Sequence, residues 1–451
     1  MGKLFGTDGI RGVANVNLSP ELAFRIGQAA ALALHKEENK KPLFLIGRDT
    51  RVSGEMLSSA LSAGLCSGGA DVIRLGVVPT PAVAYLTVAN HANAGVVISA
   101  SHNPYEHNGI KLFSCHGFKL SDATEEKIEN LILSDEKLPV ATHGNIGQII
   151  SAEGQVERYI DHVLDTIQGD LSGLRVLIDC ANGAAYKTAK SLFDKAGLQA
   201  DYLSCDPNGV NINDNCGSTH LENLSKGVVE GGYDLGIAFD GDADRCLAVD
   251  HTGEMVDGDQ IMSICAASMI EEGKLKNDGF VATVMSNIGL HKYCQERNIK
   301  LLCAKVGDRN VLEMMQAEDM SLGGEQSGHV IFLDYMTTGD GELTALQLLY
   351  MVKKSGKSLR ELASAVVRYP QILVNVPGPV SNADKDALIA SEVIQEAVRK
   401  GEEELAGNGR ILLRPSGTEA LIRVMVEAGT QEQAEKVASD IAKIVEMTKN
   451  A

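Results

Sequence analysis

Short apolar, β-branched runs that break into small polar loops and then into helical periodicity constrain this chain more than any other feature. Leu43–Gly47 runs into GRDTR and a helix from about Ser53, Val72–Val77 follows, and Gly95–Ser99 breaks at ASHNP. Arg175–Cys180 turns through NGAA into a helix at Tyr186–Ala196, and Asp234–Phe239 enters DGDADR before Cys246–Asp250. Phe280–Val284 leads to MSN, and Lys300–Ala304 leads to KVGDR. Strands alternating with helices predict an α/β fold with mixed, largely parallel sheets. Pro20–His35, behind Ser19 as N-cap, and Glu157–Ile167 carry helical spacing. The polar stretch Ser134–Gly154 reads as a connection. After Tyr369-Pro370 the pattern changes. Strands at Ile372–Val376, Arg410–Arg414 and Leu421–Val426 interleave with helices at Asp384–Lys400 and Gln431–Lys449, an α+β arrangement. Four domains are expected: 1–155, 156–252 and 253–368 as similar α/β units, a loose internal repeat, and 369–451 as α+β.

Ligands of open α/β sheets bind at the carboxyl ends of strands, so the loops carry the chemistry. Ser101 follows a buried run and precedes Asn103-Pro104, which holds it out on an elbow. Asp240, Asp242 and Asp244 follow the apolar run LGIAF. At i, i+2 and i+4 of an extended segment they point to one side, and such crowding calls for a cation. An oxygen-only set selects a hard ion such as Mg²⁺. An EF-hand is not expected, because Arg245 and His251 stand where Gly and Glu are needed. The second DGD, Asp257–Asp259, lacks a third acid and reads as a helix N-cap.

GGEQSGH places Glu325 and Ser327 in alternation, where both could face a sugar's hydroxyls, with His329 either functional or structural. RPSGTE supplies Arg414, Ser416, Gly417 and Thr418, which suit a phosphate nest and also suit a plain turn. Arg11, Arg48, Arg51, Lys111, Lys305 and Arg309 stand beside Gly-flanked loops or strand ends. Together they form the local positive cluster that an anionic substrate requires, because the whole chain carries −19. That balance argues against nucleic acid and anionic membrane as partners. Nine cysteines without a CxxC spacing fit reduced thiols, with Cys180, Cys246, Cys265 and Cys303 as core residues. MGKLFGTDGIRG does not read as a signal peptide, and no long apolar run suggests a membrane span, so a cytoplasmic protein is expected.

TDGIRG, SASHNP with NGIK, DGDADR, GEQSGH and RPSGTE, in this order from Phe5 to Val426, resemble the α-D-phosphohexomutase superfamily. The wording ISASHNP and GEQSGH resembles the bacterial members that act on glucosamine phosphate. Ala420 stands where the family generally has Pro, which bears on the stiffness of that loop. The resemblance implies four domains around a central cleft and an intramolecular phosphotransferase that interconverts glucosamine 6-phosphate and glucosamine 1-phosphate, for amino-sugar and cell-wall precursor synthesis. It implies a phosphorylated Ser101, a 1,6-bisphosphate intermediate, and one Mg²⁺ held by Asp240, Asp242, Asp244 and Ser101. Lys111 and Arg11 would stabilise the transferring group, with His329 or Lys111 shuttling the proton. Glu325 and Ser327 would hold the sugar, and Arg414, Ser416, Gly417 and Thr418, with Arg423, the non-reacting phosphate. The expected partner is a small sugar phosphate, and a homodimer is compatible. The rivals are a phosphomannomutase or phosphoglucomutase of the same superfamily, a haloacid-dehalogenase-type phosphatase with Asp240 as nucleophile, and an inactive sugar-phosphate-binding regulator.

Overall fold

The computed structural model describes residues 4–6, 8–35, 40–134, 136–416 and 419–449. Three sheets share one four-strand order. In the first, Asp71–Val77, Leu43–Arg48, Ala94–Ile98 and His107–Ser114 lie side by side; the first three are parallel and the last antiparallel. The second repeats this with Gln199–Leu203, Arg175–Asp179, Leu235–Phe239 and Cys246–Asp250. The third uses Lys300–Ala304, Gly279–Thr283, Leu322–Gly324 and Val330–Phe332. Ile10–Val13 and Ile149–Ile150 extend the first sheet, and Met255–Val256 the second. The repeat that is weak in sequence is thus explicit in topology. Its central strands are buried on both faces, as covered parallel sheets require.

In every repeat the third strand turns back into the fourth through a short loop. Those three hairpin loops contain Ser101, Asp240–Asp244 and Glu325–His329. The three strongest polar motifs therefore occupy one topological position. Backbone contacts tie the second repeat to elements of the first and third. Thr80 N donates to Asp242 O at 2.9 Å, Gly341 N to Ala243 O at 2.9 Å, and Cys246 N to Gly328 O at 3.0 Å.

The remaining sheet is antiparallel, in the order Gln371–Pro377, Leu421–Glu427, Arg410–Pro415, and has its own core around Ile422, Val424, Val437 and Ile441. The chain forms two compact units, residues 1–284 with 300–364, and 285–299 with 365–451. Helix Ile288–Arg297, the first crossover of the third repeat, packs in the second unit. Its Asn287 cap donates to Tyr369 O at 2.9 Å, and Glu427 accepts from Ile288 N at 2.9 Å.

Most expected elements stand within a few residues of their predicted bounds. Ser19 caps Pro20–Ala33, and Asp257 caps Gly258–Glu271 in a reciprocal box with Gln260. The single helix expected over Asp384–Lys400 is two, Asn382–Ile389 and Glu392–Leu405. Ser391 is extended at ψ 143 and restarts the second as its N-cap residue.

Candidate active site

Ser101 is 3% exposed and has φ 51, a left-handed conformation that a serine adopts only under constraint. The constraint is visible. Ser99 Oγ accepts from Ser101 N at 3.0 Å and donates to Asp49 Oδ2 at 2.5 Å. Asp49 lies 2.9 Å from Arg51, both side chains fully buried. Arg51 donates to Ser101 O at 2.8 Å and to the carbonyls of Asn103 and Pro104 at 3.1 Å, while Asn213 Nδ2 reaches Ser101 O at 2.9 Å. Arg51 is therefore a clamp beneath the loop, and not part of the positive cluster that its position in the sequence suggested.

The three aspartates converge, but not on an extended segment. Residues 240–245 form a turn with Ala243 at φ 56, and the carboxylates come within 4.8 Å of one another. All three side chains are buried. Ser101 Oγ donates to Asp240 Oδ2 at 2.6 Å. Thr80 Oγ1 and Lys111 Nζ donate to Asp242 Oδ2 at 2.8 and 3.0 Å. Burial, then repulsion from Asp244 and Asp242, pushes the Asp240 carboxyl well above its usual range. Burial also works against the Asp242 anion, but Lys111 and the two hydrogen bonds outweigh it and hold that carboxyl low. Oδ1 of Asp242 and Oδ1 of Asp244 are buried without a hydrogen-bond donor. Two orphaned anionic oxygens beside a serine hydroxyl, with no nitrogen or sulfur ligand, fit a hard divalent cation.

From this turn a ring of charges runs through the first unit. Lys111 lies 3.4 Å from Asp8, and Lys119 bridges Asp8 at 2.7 Å and Asp308 at 2.6 Å. His329 faces Asp308 at 4.0 Å and Asp244 at 3.7 Å, which returns to the aspartate turn. Arg11 joins the ring by pairing with Asp8. Burial penalises the Lys111 cation, yet Asp242 and Asp8 raise it far above an ordinary lysine. Burial lowers His329, and Asp244, Asp308 and Glu325 raise it to about 9. Against that, Gly339 N donates to His329 Nε2 at 3.2 Å, which requires a ring unprotonated there. The backbone contact is the shorter one, so the ring carries its proton on Nδ1, facing Asp244. A cavity of about 500 Å³ borders this arc, lined by Lys119, Asp308 and His329 together with Phe113 and Phe118.

Glu325 is half-buried and accepts from Gly307 N at 3.1 Å, while Ser327 is exposed. A side chain at Gly328, φ 93, would meet Cys246 O at 2.4 Å, so only glycine lets this loop lie against the second sheet. Among the other cations, Arg309 is taken up by Asp122, Glu125 and Leu120 O, and Arg48 by Glu55 and Asp49 O. Neither is free for an anion. Lys305 is exposed. The sequence reading missed the roles of Asp8, although it stands with its partner Arg11 in TDGIRG, and of Asp308, although it stands in KVGDR, together with Lys119, Thr80 and Asn213, whose partners are far away in sequence.

In the second unit Arg414 and Arg423 stand directly opposite on neighbouring strands. Burial, then Arg423, pushes Arg414 below the usual guanidinium range. The Nε atoms of both are buried without an acceptor. Two like charges paired across strands, with both Nε donors open although Arg423 also reaches Glu419 at 3.1 Å, suit a bound anion. Gly417 and Thr418 lie outside the described residues. On either side of them, Ser416 O and Glu419 O accept from Lys385 Nζ at 2.7 and 2.6 Å. Lys385 is 1% exposed, and this buried ammonium pins both ends of the loop. Gly378 N donates to Ala420 O at 2.8 Å, so the backbone at Ala420 is held without a proline.

Models of the phosphoglucomutase/phosphomannomutase family match all of this architecture: α/β/α domain I at residues 2–139, domain II at 157–253, domain III at 257–369 and the C-terminal domain at 373–444. A phosphoglucosamine mutase of Acetivibrio thermocellus is 53% identical over 447 residues, 99% of each chain. The crystal structure of a phosphoglucomutase/phosphomannomutase family protein from Burkholderia thailandensis superimposes with a TM-score of 0.81 at 22% identity, covering 100% of this chain and 98% of that one. An Aspergillus fumigatus N-acetylphosphoglucosamine mutase in complex with GlcNAc-6P and magnesium gives 0.72 at 17% identity, covering 99% and 96%. Ser101 on the aspartate turn and the full-length match agree, and the chain belongs to the phosphoglucomutase/phosphomannomutase family, among its phosphoglucosamine mutases.

Proposed function

We propose that this chain interconverts D-glucosamine 6-phosphate and D-glucosamine 1-phosphate. The observation that carries the reading is the constrained Ser101, its Oγ 2.6 Å from Asp240 within a buried three-carboxylate turn. The relative at 53% identity supports the choice of sugar. Phosphorylated Ser101 gives its phosphoryl group to O1 of glucosamine 6-phosphate. The Oγ–P bond breaks, the O1–P bond forms, and the proton leaving O1 is balanced by one gained at Oγ. The 1,6-bisphosphate then reverses in the site, and Ser101 Oγ takes the 6-phosphoryl group, leaving glucosamine 1-phosphate. Asp240, Asp242 and Asp244, with the phosphate on Ser101, would hold Mg²⁺, which supplies charge neutralisation to the transferring group.

Lys111 is held protonated by two acids, which suits it to stabilise transferring phosphoryl oxygens more than to accept a proton. Arg11 adds charge from the same ring, and His329, with a neutral Nε2, is the better proton carrier. Glu325 and Ser327 hold the sugar in either orientation. Arg414, Ser416, Gly417, Thr418 and Arg423 grip the phosphate that is not reacting. The four-domain division at 155, 252 and 368 belongs to this reading, as does a cytoplasmic role in supplying cell-wall precursors.

Turnover of glucosamine, glucose and mannose phosphates side by side tests the substrate. Glucosamine phosphate is expected to give the highest kcat/KM, and equal rates on glucose phosphate would overturn the assignment. Glu325→Gln separates two modes of holding the sugar. Loss confined to glucosamine phosphate means a contact to the cationic 2-amino group, whereas equal loss on all sugars means contacts to hydroxyls.

Arg414→Ala is expected to raise KM for both isomers by about tenfold or more, ~1.4 kcal/mol of binding. An unchanged KM would remove this pair of arginines from the substrate site.

A further inference from the structure

Cys180 directly follows the strand Arg175–Asp179, and Cys205 lies two residues beyond its parallel neighbour Gln199–Leu203. The strands stay joined past their ends: Cys180 N donates to Leu203 O at 3.1 Å and Asn182 N to Ser204 O at 2.6 Å. Regular alternation would turn Cys205 to the opposite face. Ser204 instead adopts φ 48, which brings Cys205 beside Cys180, and Cys205 Sγ donates to Tyr186 O at 3.1 Å, in the helix that the Cys180 turn leads into. Cys205 is partly exposed, and Cys180 is buried behind it. We propose that Cys205 is a site of oxidation by small disulfides, with Cys180 as the resolving thiol, and that the resulting bond governs the active-site loops.

The chemistry suits the order of events. At rest the Cys205 thiol donates to Tyr186 O, and the neighbouring Cys180, with help from Lys190 and against burial, draws it down to about 7, so thiolate is present near neutral pH. Cys205 Sγ attacks the disulfide RSSR, forming Cys205–S–S–R and releasing RS⁻. Cys180 then attacks the Cys205 sulfur and expels the second RS⁻. Two thiols are oxidised to one disulfide, and the two protons released convert the two RS⁻ to thiols. Cys216, whose sulfur lies 4.0 Å from Asn182 Nδ2, is buried and pushed up to about 11, which makes it the poorer partner.

The pair sits under the site. Within the turn that follows Cys180, Ala184 N donates to Gly241 O at 2.8 Å, between Asp240 and Asp242. Ala181 O accepts from Asn213 N at 2.9 Å, and Asn213 in turn holds Ser101 O. Drawing the sulfurs to bonding distance shifts this turn and both loops it supports.

The test incubates the full chain with oxidised glutathione near neutral pH, then maps peptides by fragmentation and assays mutase activity. Expected are a Cys180–Cys205 cross-link, loss of two titratable thiols, and activity lower by about a hundredfold, the size of loss that a misplacement of about 1 Å causes. Dithiothreitol should restore it, and Cys205→Ser should keep its activity throughout. A Cys205–glutathione adduct with Cys180 still titratable, or a bond to Cys216, overturns the pair. A Cys180–Cys205 bond with full activity overturns the coupling to the loops. The cross-link reports independently of which sugar phosphate is turned over.

Discussion

Ser101→Ala is expected to lose at least about 10⁴-fold in kcat, the scale on which removing a covalent nucleophile acts. The purified variant should also carry no phosphoryl group by intact mass. The fold should persist, because the loop is held by its backbone carbonyls and by Ser99, Arg51 and Asn213, not by the hydroxyl. A second substitution separates chemistry from strain. Ser101→Gly should be equally inactive, yet melt higher than the alanine variant by the equivalent of ~1 kcal/mol, since glycine adopts φ 51 without penalty. Wild-type turnover in either variant would remove Ser101 from the reaction. Phosphate found on Asp240 in the wild type would favour the aspartyl-phosphatase chemistry instead.

The parts of this site that could be read from sequence are those in which strand, turn and chemistry lie together. LGIAF followed by DGDADR declares a buried strand and an acid cluster within one window, and both are present. The reason given for the convergence was incomplete. The acids meet through a left-handed turn at Ala243, which no residue type there announces. The charges behind them were not legible. Lys119 and Asp308 are far apart in sequence, and only the stacking of the first and third repeats brings them to 2.6 Å. Arg51 was misjudged for the same reason. Beside Gly47 it looks like a phosphate ligand, but three carbonyls of a loop fifty residues away enclose it. Cys303, expected in the core, is only half-buried, while Cys180, Cys246 and Cys265 are buried. Lys385 lies in the exposed-looking helix Asn382–Ile389 and is nevertheless buried, because its ammonium donates to Ser416 O and Glu419 O.

The aspartate turn makes a sharper demand, because its acids are not equivalent. Asp240→Asn and Asp242→Asn should both cut kcat by at least about a hundredfold at a fixed Mg²⁺ concentration, since each removes an anionic oxygen from the set that would hold the cation that neutralises the transferring group. In EDTA their stabilities should move in opposite directions. Asp240 has its folded pKa raised by burial and by its two neighbours, so its ionisation costs stability as pH rises from the unfolded value, near 4, through the folded one. Asparagine removes that cost, and the variant should melt above wild type at pH 8, with the difference vanishing near pH 4. Asp242 has its folded pKa held down by Lys111 and Thr80, so its contribution is present above the unfolded value and lost only in acid. Asparagine there leaves the buried Lys111 with Asp8 at 3.4 Å and the field of Asp244, and should cost about 2 kcal/mol at pH 8, less than a fully stranded charge. Melting curves of both variants from pH 4 to 8 read the two signs directly. If both shift the same way at pH 8, the division of this turn into a strained acid and a paired acid is wrong. If either keeps full turnover at the same Mg²⁺ concentration, that acid is not part of the metal site.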